Sequence, residues 1–265
     1  MGNTAKFVHK ISKGGRYMQV YVPKEKEQEF GVGDLVEVKL LEKRVKLYYS
    51  PNLPKLIEFK EQMIRSIFSI LAEFSDIQQV FIIGSFLVKH VDYNDIDILV
   101  VSSSLDKNIE KNIYSEVTVK YPLRFHMLVI SPDKFNNLLH ICPVTRGMLS
   151  NYVSSKPFTP PSKIEIDKNH ILFLLMMPED ILDVSVESRV YYDNLRRLIV
   201  IERFLKNKKL NFQDIDGEIN HLLGSSMRPI LEKNELLAKE DVSSIRSKIQ
   251  KKIFIIERML KDEQI

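Results

Sequence analysis

Apolar residues recur in two different rhythms along this chain, and the changes of rhythm divide it into three parts. Within residues 1–50, the stretches 6–12, 17–22, 35–41 and 45–49 read as four short strands. Turns at Lys13-Gly14-Gly15-Arg16 and Gly31-Val32-Gly33-Asp34 separate them, Pro23 stops the second strand, and residues 24–30 form a short helical turn. After a hinge at residues 51–54, Leu56, Phe59, Met63, Ile67, Ile70, Leu71 and Phe74 fall three and four apart, which predicts an amphipathic helix over 55–74. Two continuous apolar runs follow, 80–83 and 96–101, and both read as buried strands. Ser102-Ser103-Ser104 is an N-cap cluster for a helix over about 105–114, residues 122–130 read as a further strand, and Ser131-Pro132-Asp133 opens a helix through Leu138 and Leu139. Residues 143–153 read as a short helix, and the polar stretch 154–162, with Pro157, Pro160 and Pro161, as a linker.

Beyond the linker the rhythm is helical. Leu182, Val186, Val190, Leu195, Leu198, Ile201 and Leu205 predict one long helix over 179–206, with Pro178 near its first turn. Residues 214–233 and 241–261 predict two more, and apolar helix faces need partners, so a bundle of three or four helices is expected. The predicted fold class is therefore an α/β (α+β) core carrying an N-terminal small β module and a C-terminal helical bundle, with domains at 1–50, 55–155 and 163–265.

Composition changes this picture in two places. Hydrophobic content of 44% and charged content of 28% are ordinary for a globular chain, and no run of about 18 apolar residues predicts a membrane span. No apolar signal segment is visible at the N-terminus, and the one cysteine, Cys142, permits no internal disulfide, so a cytoplasmic setting is expected. The net charge of +4 lies entirely in residues 1–50, which hold ten basic against six acidic side chains. A basic module joined to a neutral body points to a polyanionic partner for the module.

Candidate chemistry concentrates in the first two apolar runs. Gly84-Ser85 follows the first, and Asp95 and Asp97 stand two apart at the start of the second. Strand side chains alternate, so both carboxylates share a face and can hold a divalent cation; hard oxygen donors suit Mg²⁺ (or Mn²⁺). A Gly-Ser turn allows close backbone approach and offers N–H groups suited to phosphate.

Gly84-Ser85 followed by Asn94-Asp95-Ile96-Asp97-Ile98 resembles the signature of the DNA polymerase beta-like nucleotidyltransferases, and is closest to the small stand-alone "minimal" members. The resemblance covers roughly residues 55–150. It implies that Gly84 and Ser85 hold the triphosphate, with Lys89 a further phosphate-binding candidate. It also implies that Asp95 and Asp97 bind metal, and that an NTP, with ATP the expected donor, is the substrate. The resemblance implies a third carboxylate on a later strand, two residues before a His. Here His126 is present and Arg124 stands where the acid is expected. A guanidinium stays protonated and serves neither as base nor as metal ligand.

Residues 1–50 resemble the swapped-hairpin module of AbrB-like regulators, through residues 12–16, Gln19-Val20-Tyr21-Val22-Pro23-Lys24 and Gly31-Val32-Gly33-Asp34. That resemblance implies a homodimer through residues 1–50 and DNA binding by Lys10, Lys13, Arg16, Lys24 and Lys26. Residues 163–265 resemble in outline the helical domains that accompany small nucleotidyltransferases. A basic stripe at Arg196, Arg197, Arg203, Lys206, Lys208 and Lys209 is a candidate RNA contact, against the plainer reading of a solvated helix face. Two functions are expected. One is transfer of NMP from Mg–NTP to a hydroxyl on protein, RNA or a small molecule. The other is a nucleotide-sensing, DNA-binding regulator whose transferase domain is degenerate.

Overall fold

The computed structural model describes residues 6–39, 45–51, 53–87, 95–224 and 227–262. The chain divides into two units, residues 1–43 and 44–265.

The first unit is sparsely ordered by its own contacts. Strands β1 (Ser12–Lys13) and β2 (Met18–Gln19) pair antiparallel across the Gly14-Gly15 turn. Residues 24–26 form one 3₁₀ turn, and the Gly31 amide donates to the Asp34 carboxylate at 2.6 Å. The strand expected over 35–41 is not formed at residues 35–39, and residues 40 and 41 lie outside the described residues. No described residue of this unit is buried; Val32 and Leu35 are fully exposed. Phe7 packs edge-on against Phe30, centroids 5.1 Å apart.

The second unit is mixed α/β, with a five-stranded mixed sheet in the order β3-β7-β4-β5-β6. Its elements run β3 (Tyr48–Tyr49), α1 (Glu58–Leu71), β4 (Ile77–Ile83), β5 (Ile96–Ser102), α2 (Lys107–Lys120), β6 (Phe125–Ile130), α3 (Pro132–Ile141), α4 (Pro143–Met148) and β7 (Val153–Ser154). The helices α5 (Lys168–Asp180), α6 (Ser188–Leu205), α7 (Phe212–Leu223), α8 (Met227–Glu232) and α9 (Lys239–Asp262) complete it. Among the described residues β5 and β6 pair in parallel, and the other pairs of this sheet are antiparallel. Alternation sends Val80, Ile82, Ile96, Ile98 and Val100 to one face, where Ile64, Ile67 and Phe68 of α1 and Ile113 and Val117 of α2 cover them. Phe81, Ile83, Leu99, Val101 and Ile130 take the other face, under Phe135 and Leu139 of α3. Phe81, Phe135, Tyr152 and Phe158 form an aromatic cluster there, with centroids 4.9–5.8 Å apart.

Several sequence expectations change. The strand expected over 45–49 belongs to this sheet, because Tyr48 and Tyr49 pair with Ser154 and Val153. Val153 and Ser154 in turn form β7 rather than the end of a helix. The second helix runs to Lys120 and is capped by Asp106, whose carboxylate accepts from the Asn108 amide; Ser102 and Ser103 instead donate to the Asp76 carbonyl. The single helix over 179–206 is two: Pro178 falls in the last turns of α5, and α6 starts only at Ser188. Likewise 214–233 breaks at Gly224, where φ is +82°, between α7 and α8.

The helices pack around α6, whose Leu195, Leu198, Ile199 and Ile201 are buried with Ile215 and Ile219 of α7 and Ile245, Ile249 and Ile256 of α9. Half of the basic stripe is paired with carboxylates within the bundle. Arg203 donates to Asp214 at 2.8 Å and Glu218 at 2.5 Å, Arg196 faces Asp216 at 3.6 Å, and Lys206 pairs with Glu202. No helix among the described residues is long and apolar enough to cross a membrane.

Candidate functional site

The three neighbouring strands bring the sequence candidates together through register. Ile83, the last residue of β4, pairs with Asp97 of β5, and Asp97 pairs with His126 of β6. The Ile96 amide donates to the Arg124 carbonyl at 3.0 Å, which fixes the start of the parallel ladder. Asp97 has the parity of Leu99 and Val101, so its side chain lies on the aromatic-cluster face, beyond the end of that cluster. Asp95, two residues earlier, converges with it. His126 Nδ1 lies 3.2 Å from Asp95 Oδ2 and 3.4 Å from Asp97 Oδ1, and the three donor atoms are all within 4.8 Å of one another. The carboxylates are partly buried and the imidazole side chain is 70% exposed, so the group opens to solvent.

Burial pushes the Asp97 carboxyl above the ordinary range, and the neighbouring Asp95 charge pushes it further; His126 partly offsets both. Two carboxylates held close in a partly dry setting are destabilised by each other and stabilised by a cation. With an imidazole as third donor, the set fits a divalent metal in ligand number and spacing.

The Gly84-Ser85 turn lies against this group. Gly84 has φ +78°, a conformation open to glycine, and a Cβ on it would stand 2.1 Å from Asp97 Oδ2. The Asp97 carboxylate therefore occupies the space that a side chain at 84 would take. Gly84 and Ser85 are exposed, whereas Phe86 and Leu87 are buried and anchor the turn, and the Leu87 amide returns to the Gly84 carbonyl at 3.2 Å. Beneath it Lys60 of α1, 2% exposed, donates from Nζ to the Phe86 carbonyl at 2.7 Å and lies 5.1 Å from the Phe86 ring centroid. Burial pushes its ammonium below the ordinary lysine value. Residues 85–87 form a 3₁₀ turn. Lys89 lies outside the described residues, as do His90 and Asn94.

Two placements escape a reading of the sequence as motifs. Lys60 stands in line with Leu56, Met63 and Ile67 at helical spacing, so its burial was visible as a charge inside an apolar stripe. His126 has the parity of Arg124, and aligning 125 with 96 places it beside Asp97; the missing signal was the register.

In the first unit, Lys10, Lys13, Arg16 and Lys24 are exposed, and Lys26 pairs with Glu29 at 2.5 Å. A separate cleft lined by Gln79, Val101, Phe135, His140 and Phe158 lies toward the opposite end of β4 and β5 from Asp97.

Comparison with protein-family models, curated proteins and solved structures finds no match to this chain.

Proposed function

We propose that the sheet unit binds a metal–nucleoside triphosphate at Asp95, Asp97 and the Gly84-Ser85 turn, and transfers its nucleoside monophosphate to a hydroxyl acceptor. The observation that carries this reading is the seating of the Asp97 carboxylate against Gly84, which joins the metal donors to an exposed glycine turn. Asp95 and Asp97 hold the cation, with Mg²⁺ or Mn²⁺ the expected ions. Once bound, the cation supplies Lewis-acid stabilisation of phosphate charge. The Gly84 backbone, free of a side chain, admits the phosphates closely, and the exposed Ser85 supplies a hydroxyl and an amide to hold them. The Lys60 bond to the Phe86 carbonyl and the burial of Phe86 brace this turn, which favours preorganised groups for the nucleotide. In the transfer the acceptor oxygen bonds to the α-phosphorus, the α–β bridging bond breaks, pyrophosphate leaves, and the hydroxyl proton is released.

The test incubates the full chain with each α-³²P-labelled NTP, a divalent metal, and RNA or protein extract from its host. Metal-dependent label on an acceptor, lost in the Asp95→Ala, Asp97→Ala double variant, supports the transferase. Equal labelling without those carboxylates contradicts it.

One observation favours a second reading. The described metal donors are Asp95, Asp97 and His126, and Arg124, which stands where the resemblance expects a third carboxylate, is not among them. A site that binds a nucleotide without turning it over makes the chain a nucleotide-sensing, DNA-binding regulator. Tight NTP binding with no label transfer, and DNA affinity that changes with NTP, support that reading over the first.

For the first unit we propose that a second copy completes the module. None of residues 6–39 is fully buried, and a module of this size needs an added core to be secure. Exposed Met18, Val32 and Leu35 supply the apolar surface for a homodimer, and Lys10, Lys13, Arg16 and Lys24 supply phosphate contacts on DNA.

A further inference from the structure

We propose that the third metal donor of this chain is the His126 imidazole, and that the centre consequently selects a first-row d-block cation, Mn²⁺, Co²⁺ or Zn²⁺, over Mg²⁺. This inference rests on the reading of Asp95 and Asp97 as a metal centre and deepens it.

Register, rather than sequence spacing, puts the imidazole in place. Residue 126 is the β6 partner of residue 97, so the two side chains leave the ladder on one face. His126 Nδ1 then sits 3.2 Å from Asp95 and 3.4 Å from Asp97, nearly equidistant between the carboxylates rather than paired with one. A ring nitrogen aimed between two carboxylate oxygens is placed to share a cation with them, because all three atoms fit within one coordination sphere's span of 4.8 Å. Most of the imidazole faces solvent, so apolar packing does not account for its position.

The chemistry of the donors decides the ion. Mg²⁺ takes oxygen ligands and dehydrates reluctantly, and its affinity for a protein site comes chiefly from carboxylate charge. This site offers two carboxylates, with the Arg124 guanidinium on the neighbouring residue of the same parity. A neutral imidazole adds little for Mg²⁺, more for Mn²⁺, which stands at the foot of the first-row affinity order, and most for Co²⁺ or Zn²⁺.

The test uses the full chain and metal alone, without nucleotide. Equilibrium dialysis gives Mn²⁺ and Mg²⁺ affinities for the wild type, His126→Ala, His126→Asp and Asp97→Asn. Pulsed EPR of bound Mn²⁺ reports a directly coordinated ¹⁴N. The wild type is expected to show that ¹⁴N signal. His126→Ala should lose it, with Mn²⁺ affinity falling about tenfold or more while Mg²⁺ affinity changes by less than about threefold. His126→Asp should move the preference toward Mg²⁺. If Asp97→Asn abolishes Mn²⁺ binding while His126→Ala leaves both affinity and spectrum unchanged, the inference is overturned and the metal centre stands. If Asp97→Asn also leaves metal binding unchanged, the metal-centre reading fails with it.

Discussion

Replacing Gly84 by Ala perturbs the site at the point where its two halves meet. The residue has φ +78°, and an L side chain there costs about 1–2 kcal/mol in backbone strain. The new Cβ would stand 2.1 Å from Asp97 Oδ2 and 3.1 Å from Cγ, against an ordinary contact of at least 3.4 Å. The carboxylate must therefore swing away by more than about 1 Å. Strain of this size lowers the melting temperature by roughly 3–6 °C. The displacement removes one donor from its place opposite Asp95 and His126, so metal-dependent NTP binding should weaken by about 10–100-fold. Gly224→Ala is the matched control. It has φ +82°, yet a Cβ there meets nothing within 4 Å, so it should cost stability without changing nucleotide affinity. Calorimetric titration of each variant with metal–NTP, beside thermal unfolding, separates the two effects. A Gly84→Ala protein that binds nucleotide as tightly as the wild type would refute the claim that turn and carboxylate form one site.

Other expectations follow from individual contacts. Lys60→Met should leave the buried Phe86 carbonyl without its ammonium donor, costing about 1–3 kcal/mol of stability and weakening NTP binding, while metal binding measured without nucleotide is unchanged. Burial alone would raise the Glu202 carboxyl, but hydrogen bonds from Lys206 and Lys252, with their charges, outweigh it and hold it below the ordinary value of 4.5. That contribution is full above 4.5 and is lost as pH falls through the lowered value, so wild type and Glu202→Gln should converge in denaturant stability on acidification; a constant gap would refute it. Sedimentation should find the full chain dimeric, and Met18→Lys with Leu35→Lys should give monomers that keep metal binding.

What the sequence made legible was whatever a short window contains. The apolar runs that became β4 and β5 announce themselves, because a strand buried on both faces needs continuous apolar residues. Gly84, Ser85, Asp95 and Asp97 were legible for the same reason. What depended on distant partners was not. Tyr48 and Tyr49 read as a strand, but their partner β7 lies about a hundred residues on and has only two paired residues, too few to show a period of two. Pro178 reads as a helix start, whereas it sits in the last turn of α5; the sequence 181–187 then crosses to α6 without a glycine to mark the break. His126 was visible as a residue and invisible as a neighbour of Asp97, since pairing in a parallel ladder is set across a helix of 14 residues.

The measurement that tests the central claim most directly is equilibrium binding of an NTP to the full chain, with and without divalent metal, for the wild type and for Asp95→Asn with Asp97→Asn. Amides keep the shape and remove the charge. Saturable binding that requires metal in the wild type, and falls by about 100-fold or more in the double variant, is the predicted result. Binding that is indifferent to metal, or equal in both proteins, would contradict the account.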